Sequence, residues 1–330
     1  MTARHQLPVI EASRAHQRGR PGLLCLALTL LASCGTSAPP PPTSSTILTT
    51  TDQTGATTGA TTSSMLSLAI GGTQRSYLLV APAGQRSALP LLMILHGRSV
   101  TVQQERVRTD FLALAQQGKA VLVYPVGYEQ FWNAGGGCCG AAAVARVDDS
   151  AFLTAVLGDV ANHVAIDSSR IYLVGYSNGA RMAFTEVCAH PSVFAAFASY
   201  AGVPTQACGD TSVAVPAWIS AGTADPELST TDPAQTSTQV IESVVADWRA
   251  RNRCGATSTS TTVPPARLTL WAHCRNGSAV ESALYTGLNH YWPRATQADI
   301  PYNTAVGAQA SAATLMWAFL STHQLPRRPA

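Results

Sequence analysis

Short apolar runs alternate with longer stretches of helical periodicity over most of this chain, and that alternation predicts a mostly parallel sheet with helices on both faces. Ser76 to Ala81, Leu89 to Leu95, Ala120 to Tyr124, Arg170 to Val174, Phe194 to Tyr200, Ala217 to Ser220, Leu268 to Ala272 and Ser282 to Thr286 read as strands. Helices are expected over Gln103 to Gln117, Asp148 to His163, Asn178 to Ala189, Thr238 to Asn252 and Gly307 to His323. In a sheet of this kind the loops at the carboxyl ends of the strands gather the functional residues, so chemistry is to be sought there. The pattern shows no internal repeat and no second folded unit.

The alternation does not reach the N-terminal 64 residues. Arg14, Arg18 and Arg20 precede the apolar run Leu23 to Leu31, and Ala32-Ser33-Cys34-Gly35 follows it. The run is too short to span a bilayer, and small residues before a cysteine suit cleavage as a bacterial lipoprotein signal, with Cys34 carrying the lipid. A plain secretory signal is the alternative, and both export the chain. The stretch before the run is long for such a signal, so the natural start is expected downstream of Met1. Residues 34–64 are rich in Ser, Thr, Pro, Gly and Ala, with Asp52 as their one charge. Such a segment cannot bury enough apolar surface to fold and is expected to act as a tether, leaving 65–330 as one catalytic domain.

Charge and cysteine usage narrow the function further. Taking the four Arg and one Glu of residues 1–33 from 21 basic and 18 acidic residues leaves 17 of each, so the mature protein offers no field for nucleic acid. Of eight cysteines, Cys25 lies in the signal and Cys34 at the anchor. The other six, an even number in an exported chain, argue for disulfides, and the lack of a C-x-x-C or paired-histidine spacing argues against a metal site. Cys254 and Cys274 flank the approach to a strand and are expected to pair. Cys138 and Cys139 are expected to reach separate partners, with Cys188 and Cys208 available.

Gly175-Tyr176-Ser177-Asn178-Gly179 follows an apolar strand and opens a helix. A strand that turns sharply into a helix needs small residues two places either side of the turn and exposes the central hydroxyl, which is the nucleophile elbow of the α/β-hydrolase fold. Asp225, just past the strand Ala217 to Ser220, is placed to orient a histidine, with Asp210 or Asp232 as substitutes. His290, in the loop after the strand Ser282 to Thr286, is the base; the other histidines lie in the signal or in structural elements. An ester's tetrahedral intermediate needs two backbone N–H donors. Asn178 is one, and the amide of Arg98, after Leu95-His96-Gly97, is the expected second.

These segments, with Phe131-Trp132-Asn133-Ala134, Cys138-Cys139-Gly140, Val147-Asp148-Asp149, Gly222-Thr223-Ala224-Asp225 and His290-Tyr291-Trp292-Pro293, occur in an order that resembles the polyhydroxybutyrate depolymerase-like esterases, which are similar to feruloyl and acetyl xylan esterases of carbohydrate esterase family one. The resemblance covers about residues 65 to 320. It implies an extracellular serine carboxylesterase without metal or organic cofactor, acting on hydroxyalkanoate oligomers or on feruloyl and acetyl esters of polysaccharide fragments. Three departures stand out. The loop Arg98-Ser99-Val100-Thr101 is poorer in Gly and Cys than is usual in the family, Leu288-Asn289 replaces the usual glycines before the histidine, and no polymer-binding domain follows His323. Trp132 and Trp292 are candidate walls of the substrate pocket. Asp148 and Asp149 are expected to cap the helix that begins there. A cell-envelope acyltransferase and a non-catalytic carbohydrate-binding lipoprotein are the alternative functions, and a monomer is expected.

Overall fold

The fold is seen in a computed structural model that describes residues 59–209, 213–228, 234–295, 304–305 and 307–326. The signal, Cys34, most of the expected tether, and the substitute acids Asp210 and Asp232 lie outside the described residues. The chain enters through two long antiparallel strands, β1 (Thr61–Ile70) and β2 (Thr73–Pro82), turned at Gly71-Gly72, where both residues take positive φ. Strand β3 (Leu89–Leu95) leads to helices α1 (Val102–Arg108) and α2 (Leu112–Gln116), and then to β4 (Val121–Pro125). After a short α3 (Gly140–Val144) and a long α4 (Asp149–His163), β5 (Ile166–Tyr176) runs into α5 (Asn178–Ala189), followed by β6 (Ala196–Tyr200) and β7 (Ala217–Gly222). Helix α6 (Ser237–Arg251) precedes the hairpin β8 (Thr259–Val263) and β9 (Ala266–Trp271), and then β10 (Val280–Tyr285). The two-residue strands β11 (Trp292–Pro293) and β12 (Thr304–Ala305) pair with each other before the closing helix α7 (Ala312–Leu320).

Ten strands form one sheet in the order β1-β2-β4-β3-β5-β6-β7-β10-β9-β8. The run from β4 to β10 is parallel, and both flanks are antiparallel. From β3 the chain steps outward to β4 on one side, and then crosses to β5 on the other. The direction of winding therefore reverses at β3 and β5, the place where open α/β sheets bind ligands at the carboxyl ends of their strands. Period-2 alternation divides the core. Leu91, Met93, Leu95, Leu173 and Phe197 face Phe152 of α4, Phe184 of α5 and Trp248 of α6, whereas Leu92, Ile94, Tyr172 and Trp218 face Phe111, Leu114 of α2 and Met316 and Phe319 of α7.

Three expectations are corrected. The single helix expected over Gln103 to Gln117 is two, because Asp110 adopts a φ of 62° and breaks it, with its carboxylate ion-paired to Arg294. The ordered domain begins at Thr61, inside the segment expected as tether. In β1 the buried positions are Thr61 and Ser63 on one face and Leu66 on the other, so its first half is carried by hydroxyls that a hydrophobicity pattern does not register. The cysteine pairing also differs. Cys254–Cys274 is bonded as expected, but Cys188, in the last turn of α5, is bonded to Cys208 with Cα atoms 5.3 Å apart, and Cys138 is bonded to Cys139. The two cysteines available as partners for Cys138 and Cys139 thus satisfy each other, within ordinary disulfide reach.

Cys254 closes the end of α6, where its N–H donates to Arg249 O at 2.9 Å, and Cys274 lies just ahead of β10. The bond therefore anchors the segment that enters β10 to the end of a helix whose inner face packs on the core. Replacing both cysteines with serine removes a cross-link over a separation of 20 residues, which should lower stability by about 3 kcal/mol. Urea unfolding of the double variant should show a lower midpoint, and a midpoint equal to that of the parent would refute the role given to this bond.

Candidate active site

Strand β5 ends at Tyr176 and α5 begins at Asn178, so one residue makes the whole turn. Ser177 takes φ 55° and ψ −118°, a conformation that a residue with a Cβ adopts only when its surroundings impose it. Its N–H donates to Tyr200 O at 2.9 Å, and its own carbonyl accepts from Arg181 N at 3.1 Å. The glycines around it have no room for a side chain. A Cβ on Gly175 would stand 2.2 Å from Gly179 O, one on Gly179 would stand 2.2 Å from Leu95 O, and one on Gly202 would stand 2.6 Å from Ser177 O. The strand-to-helix joint is compressed against β3 and the loop after β6, and this compression holds the serine in place.

Three strand ends converge on that serine. His290, in the loop after β10, has Nε2 2.8 Å from Ser177 Oγ and Nδ1 2.8 Å from Asp225 Oδ2, in the loop after β7. Asp225 is fully buried, and its other oxygen accepts from Glu227 N at 2.9 Å. With Nδ1 protonated toward the carboxylate, Nε2 is left as an acceptor for the serine hydroxyl. Strands β7 and β10 are parallel neighbours in register, so their loops leave side by side and are stitched together. Ala224 N donates to Leu288 O at 2.8 Å, and Gly287 N donates to Thr223 Oγ1 at 2.9 Å. A Cβ on Gly222 would strike Leu288 O at 2.2 Å. The backbone of the histidine loop is held from beneath as well, because Tyr176 and Tyr200 donate their hydroxyls to His290 O and Tyr291 O, each at 2.7 Å.

Asn178 stands at the start of α5, where first-turn N–H groups lack helical partners. Its side chain is engaged elsewhere: Oδ1 accepts from Trp132 N at 2.8 Å, and Nδ2 donates to Trp132 O at 3.1 Å. The loop after β3 lies against Ser177, since a Cβ on Gly97 would come within 3.4 Å of Ser177 Cβ. Arg98 is the next residue in that loop, and the following amide, Ser99 N, is already donated to Gln130 O at 3.0 Å. His96, which the sequence suggested only as a structural residue, organises this loop. Its Nδ1 lies 2.8 Å from Gly97 O and its Nε2 accepts from Gly127 N at 2.9 Å. Burial pushes its pKa down to about 4, so the ring stays neutral, and the tautomer with the proton on Nδ1 satisfies both bonds.

The pocket walls expected from Trp132 and Trp292 are corrected by burial. Both indoles are fully buried and cannot line an open cleft. Trp132 donates Nε1–H to His96 O at 2.9 Å and so braces the loop after β3, while Trp292 packs against Phe111, Tyr176 and Tyr200 under the histidine loop. The expected double cap also divides. Asp148 caps α4 by accepting from Ala151 N at 2.8 Å, but Asp149 is buried, pairs with Arg75 at 2.6 Å and accepts from Asn133 N at 2.7 Å. Burial raises its pKa against the pull of Arg75. A helix needs one capping carboxylate, so the second acid of an Asp-Asp pair was the available signal. Two further residues had no sequence signal: Arg108, whose guanidinium lies 4.2 Å over the Tyr176 ring, and Arg294, which donates to Val107 O at 2.9 Å. Among the described residues no cluster of three or more His, Cys, Asp or Glu could hold a metal ion.

Residues 75–235 match the family model described as esterase PHB depolymerase. Over these residues the chain is similar to the polyhydroxybutyrate depolymerase-like esterases, and its fold is that of an α/β hydrolase. A protein named as an esterase, NocK, from Nocardia uniformis subsp. tsuyamanensis is 28% identical over 139 residues, 40% of this chain and 39% of that one. The bifunctional acetylxylan esterase/xylanase XynS20E of Neocallimastix patriciarum is 23% identical, covering 66% of this chain and 31% of its own length. The chain thus spans two fifths or less of the length of these curated relatives. Its fold is similar to that of an acetyl xylan esterase from Aspergillus awamori, at a TM-score of 0.56 and 13% identity, over 78% of this chain and 99% of that one.

The Arg75–Asp149 pair ties β2 to the turn that carries Trp132. Asp149→Ala should destabilise the fold by about 3 to 5 kcal/mol, because a buried guanidinium loses its counter-ion, and the paired change Arg75→Met with Asp149→Leu should recover much of that loss. Chemical denaturation of the two variants and the parent checks this, and an Asp149→Ala protein as stable as the parent would contradict it.

Proposed function

We propose that this esterase is an exported serine carboxylic ester hydrolase. The observation that carries the reading is the continuous relay from Ser177 Oγ through His290 to buried Asp225, built on a strained elbow. Ser177 Oγ attacks the ester carbonyl carbon while its proton passes to His290 Nε2, and Asp225 stabilises the imidazolium that forms. The carbonyl oxygen takes up the charge and is met by the backbone N–H groups of Asn178 and Arg98. Collapse expels the alcohol, which receives the proton from His290, and leaves an acyl group on Ser177. Water then gives its proton to His290 and attacks the acyl carbon, releasing the acid and restoring the serine.

For the substrate we propose hydroxyalkanoate oligomers, or feruloyl and acetyl esters of polysaccharide fragments. The family model and the acetylxylan esterase relative support these two classes. Export, with Cys34 as the lipid anchor, is supported by the apolar run ahead of Ala32-Ser33-Cys34 and by three disulfides, which persist in oxidising compartments.

Ser177→Ala should keep the fold and lower kcat on p-nitrophenyl acetate on the order of 10⁶-fold. Asp225→Asn and His290→Ala should each be severely impaired, and the double variant should be little worse than the poorer single one, because the three residues act as a unit. Near-parental turnover by Ser177→Ala would overturn the assignment. In the producing cell, a palmitate analogue should label the parent protein and not Cys34→Ser; an unlabelled parent would remove the anchor from the proposal.

A further inference from the structure

The rim of the cleft carries an ion pair that the relay does not use. Arg98 Nη2 lies 3.8 Å from Glu227 Oε2, and the side chains are 60% and 52% exposed. Arg98 follows Gly97, whose position is fixed against Ser177, and Glu227 stands two residues past Asp225, with its own N–H bonded to Asp225 Oδ1. The pair therefore joins the loop after β3, which lies against Ser177, to the loop after β7 that carries Asp225. At 3.8 Å it is too long for a hydrogen bond, and an exposed pair of this kind contributes little to the fold. A guanidinium presents a fork that matches a carboxylate bidentately, at shorter range than this. Arg181, one turn into α5 and partly buried, adds a second guanidinium in the field of Glu227 and Asp225, which keeps this corner cationic if Glu227 swings aside.

We infer that Glu227 is an internal stand-in for a substrate carboxylate, and that Arg98 makes the enzyme selective for esters whose alcohol portion carries a free carboxylate. This rests on the ester-hydrolase reading. The side of the cleft follows from the chemistry: His290 returns its proton to the leaving alcohol, and Glu227 belongs to the loop that orients His290, so the guanidinium reaching toward Glu227 lies over the alcohol. The feature separates the two proposed substrate classes, because the alcohol released from the free end of a hydroxyalkanoate oligomer is a hydroxy acid and carries a carboxylate, whereas the alcohol released from an acetylated neutral sugar is uncharged.

The test compares kcat/KM for p-acetoxybenzoate with that for p-acetoxybenzamide, which share an acetyl group and differ in charge on the leaving phenol. The acid-to-amide ratio should fall about tenfold in Arg98→Met, which keeps the backbone amide. It should rise several-fold in Glu227→Gln, where the competing carboxylate is gone. Added salt should lower the ratio of the parent and leave that of Arg98→Met unchanged. Equal ratios in all three proteins, with both acetates hydrolysed in a Ser177-dependent way, would overturn the rim assignment and leave the esterase standing. Hydrolysis that persists in Ser177→Ala would overturn both.

Discussion

The positive φ of Ser177 is the constraint from which the rest of the site follows. A non-glycine residue held there costs about 1 to 3 kcal/mol, and the cost persists only where the surroundings over-determine the conformation. Here they do. Gly175 and Gly179 let the first turn of α5 press against the end of β5, Gly179 in turn abuts the carbonyl of Leu95, and Gly202 brings the loop after β6 against Ser177 O. The Ser177 amide is held by Tyr200 O, so the neighbouring strand fixes the turn from the other side. A side chain at any of these three glycines meets backbone atoms, which cannot step aside as the end of a flexible side chain can. The reversal of winding between β3 and β5 is what allows this crowding, because it leaves the carboxyl ends of both strands free of crossover helices.

The base is positioned by a different kind of interaction. His290 lies on a loop with no regular structure of its own, yet its backbone carbonyl accepts from Tyr176, the residue just before the nucleophile. Serine and histidine are therefore referred to one another twice, once through the ring and once through the main chain. Beneath them the Tyr176 ring carries the Arg108 guanidinium, which is paired with buried Glu105, and Arg294 joins the end of the histidine loop to the last carbonyls of α1 and to Asp110. Buried charges of this kind contribute little net stability, but they accept few alternative geometries. That makes them suited to fixing a loop to within the few tenths of an ångström that proton transfer demands.

The sequence showed the parallel sheet, the elbow and the order of the three relay residues because each of these depends on local chemistry. Strand β3 and helix α5 fall where the apolar pattern placed them. Asp225 and His290 were legible because a polar residue just past a strand end has few structural duties. What stayed hidden depends on contacts between residues far apart in the chain. Nothing local separates an aromatic that lines a cleft from one that props a loop, so Trp132 and Trp292 could be placed near the site but not assigned to its buried side. Asp149 looked like half of a helix cap until Arg75, 74 residues away, came into contact with it. The pairing of Cys188 with Cys208 was settled by where the loop after β6 returns, which is a property of the tertiary fold. Edge strand β8 and the first half of edge strand β1 escaped notice for a simpler reason: their Ser and Thr residues give β-structure without a hydrophobic face.

The buried indoles change how the cleft is to be understood. With the Trp132 indole committed to His96 O and its main chain held by Oδ1 and Nδ2 of Asn178, the large apolar surface near Ser177 faces the protein and not the solvent. The loop after β3, the elbow and the loop that carries His290 are then braced by rings from behind, and the solvent-exposed side chains beside Ser177 are polar: Arg98, Glu227 and the partly buried His290. An apolar pocket discriminates weakly between ligands that differ by a methylene, whereas a charged group at the rim distinguishes ligands by the presence or absence of a counter-charge. Under the proposed ester hydrolysis, selectivity should accordingly reside in the charge of the substrate near the scissile bond more than in the length of its acyl chain.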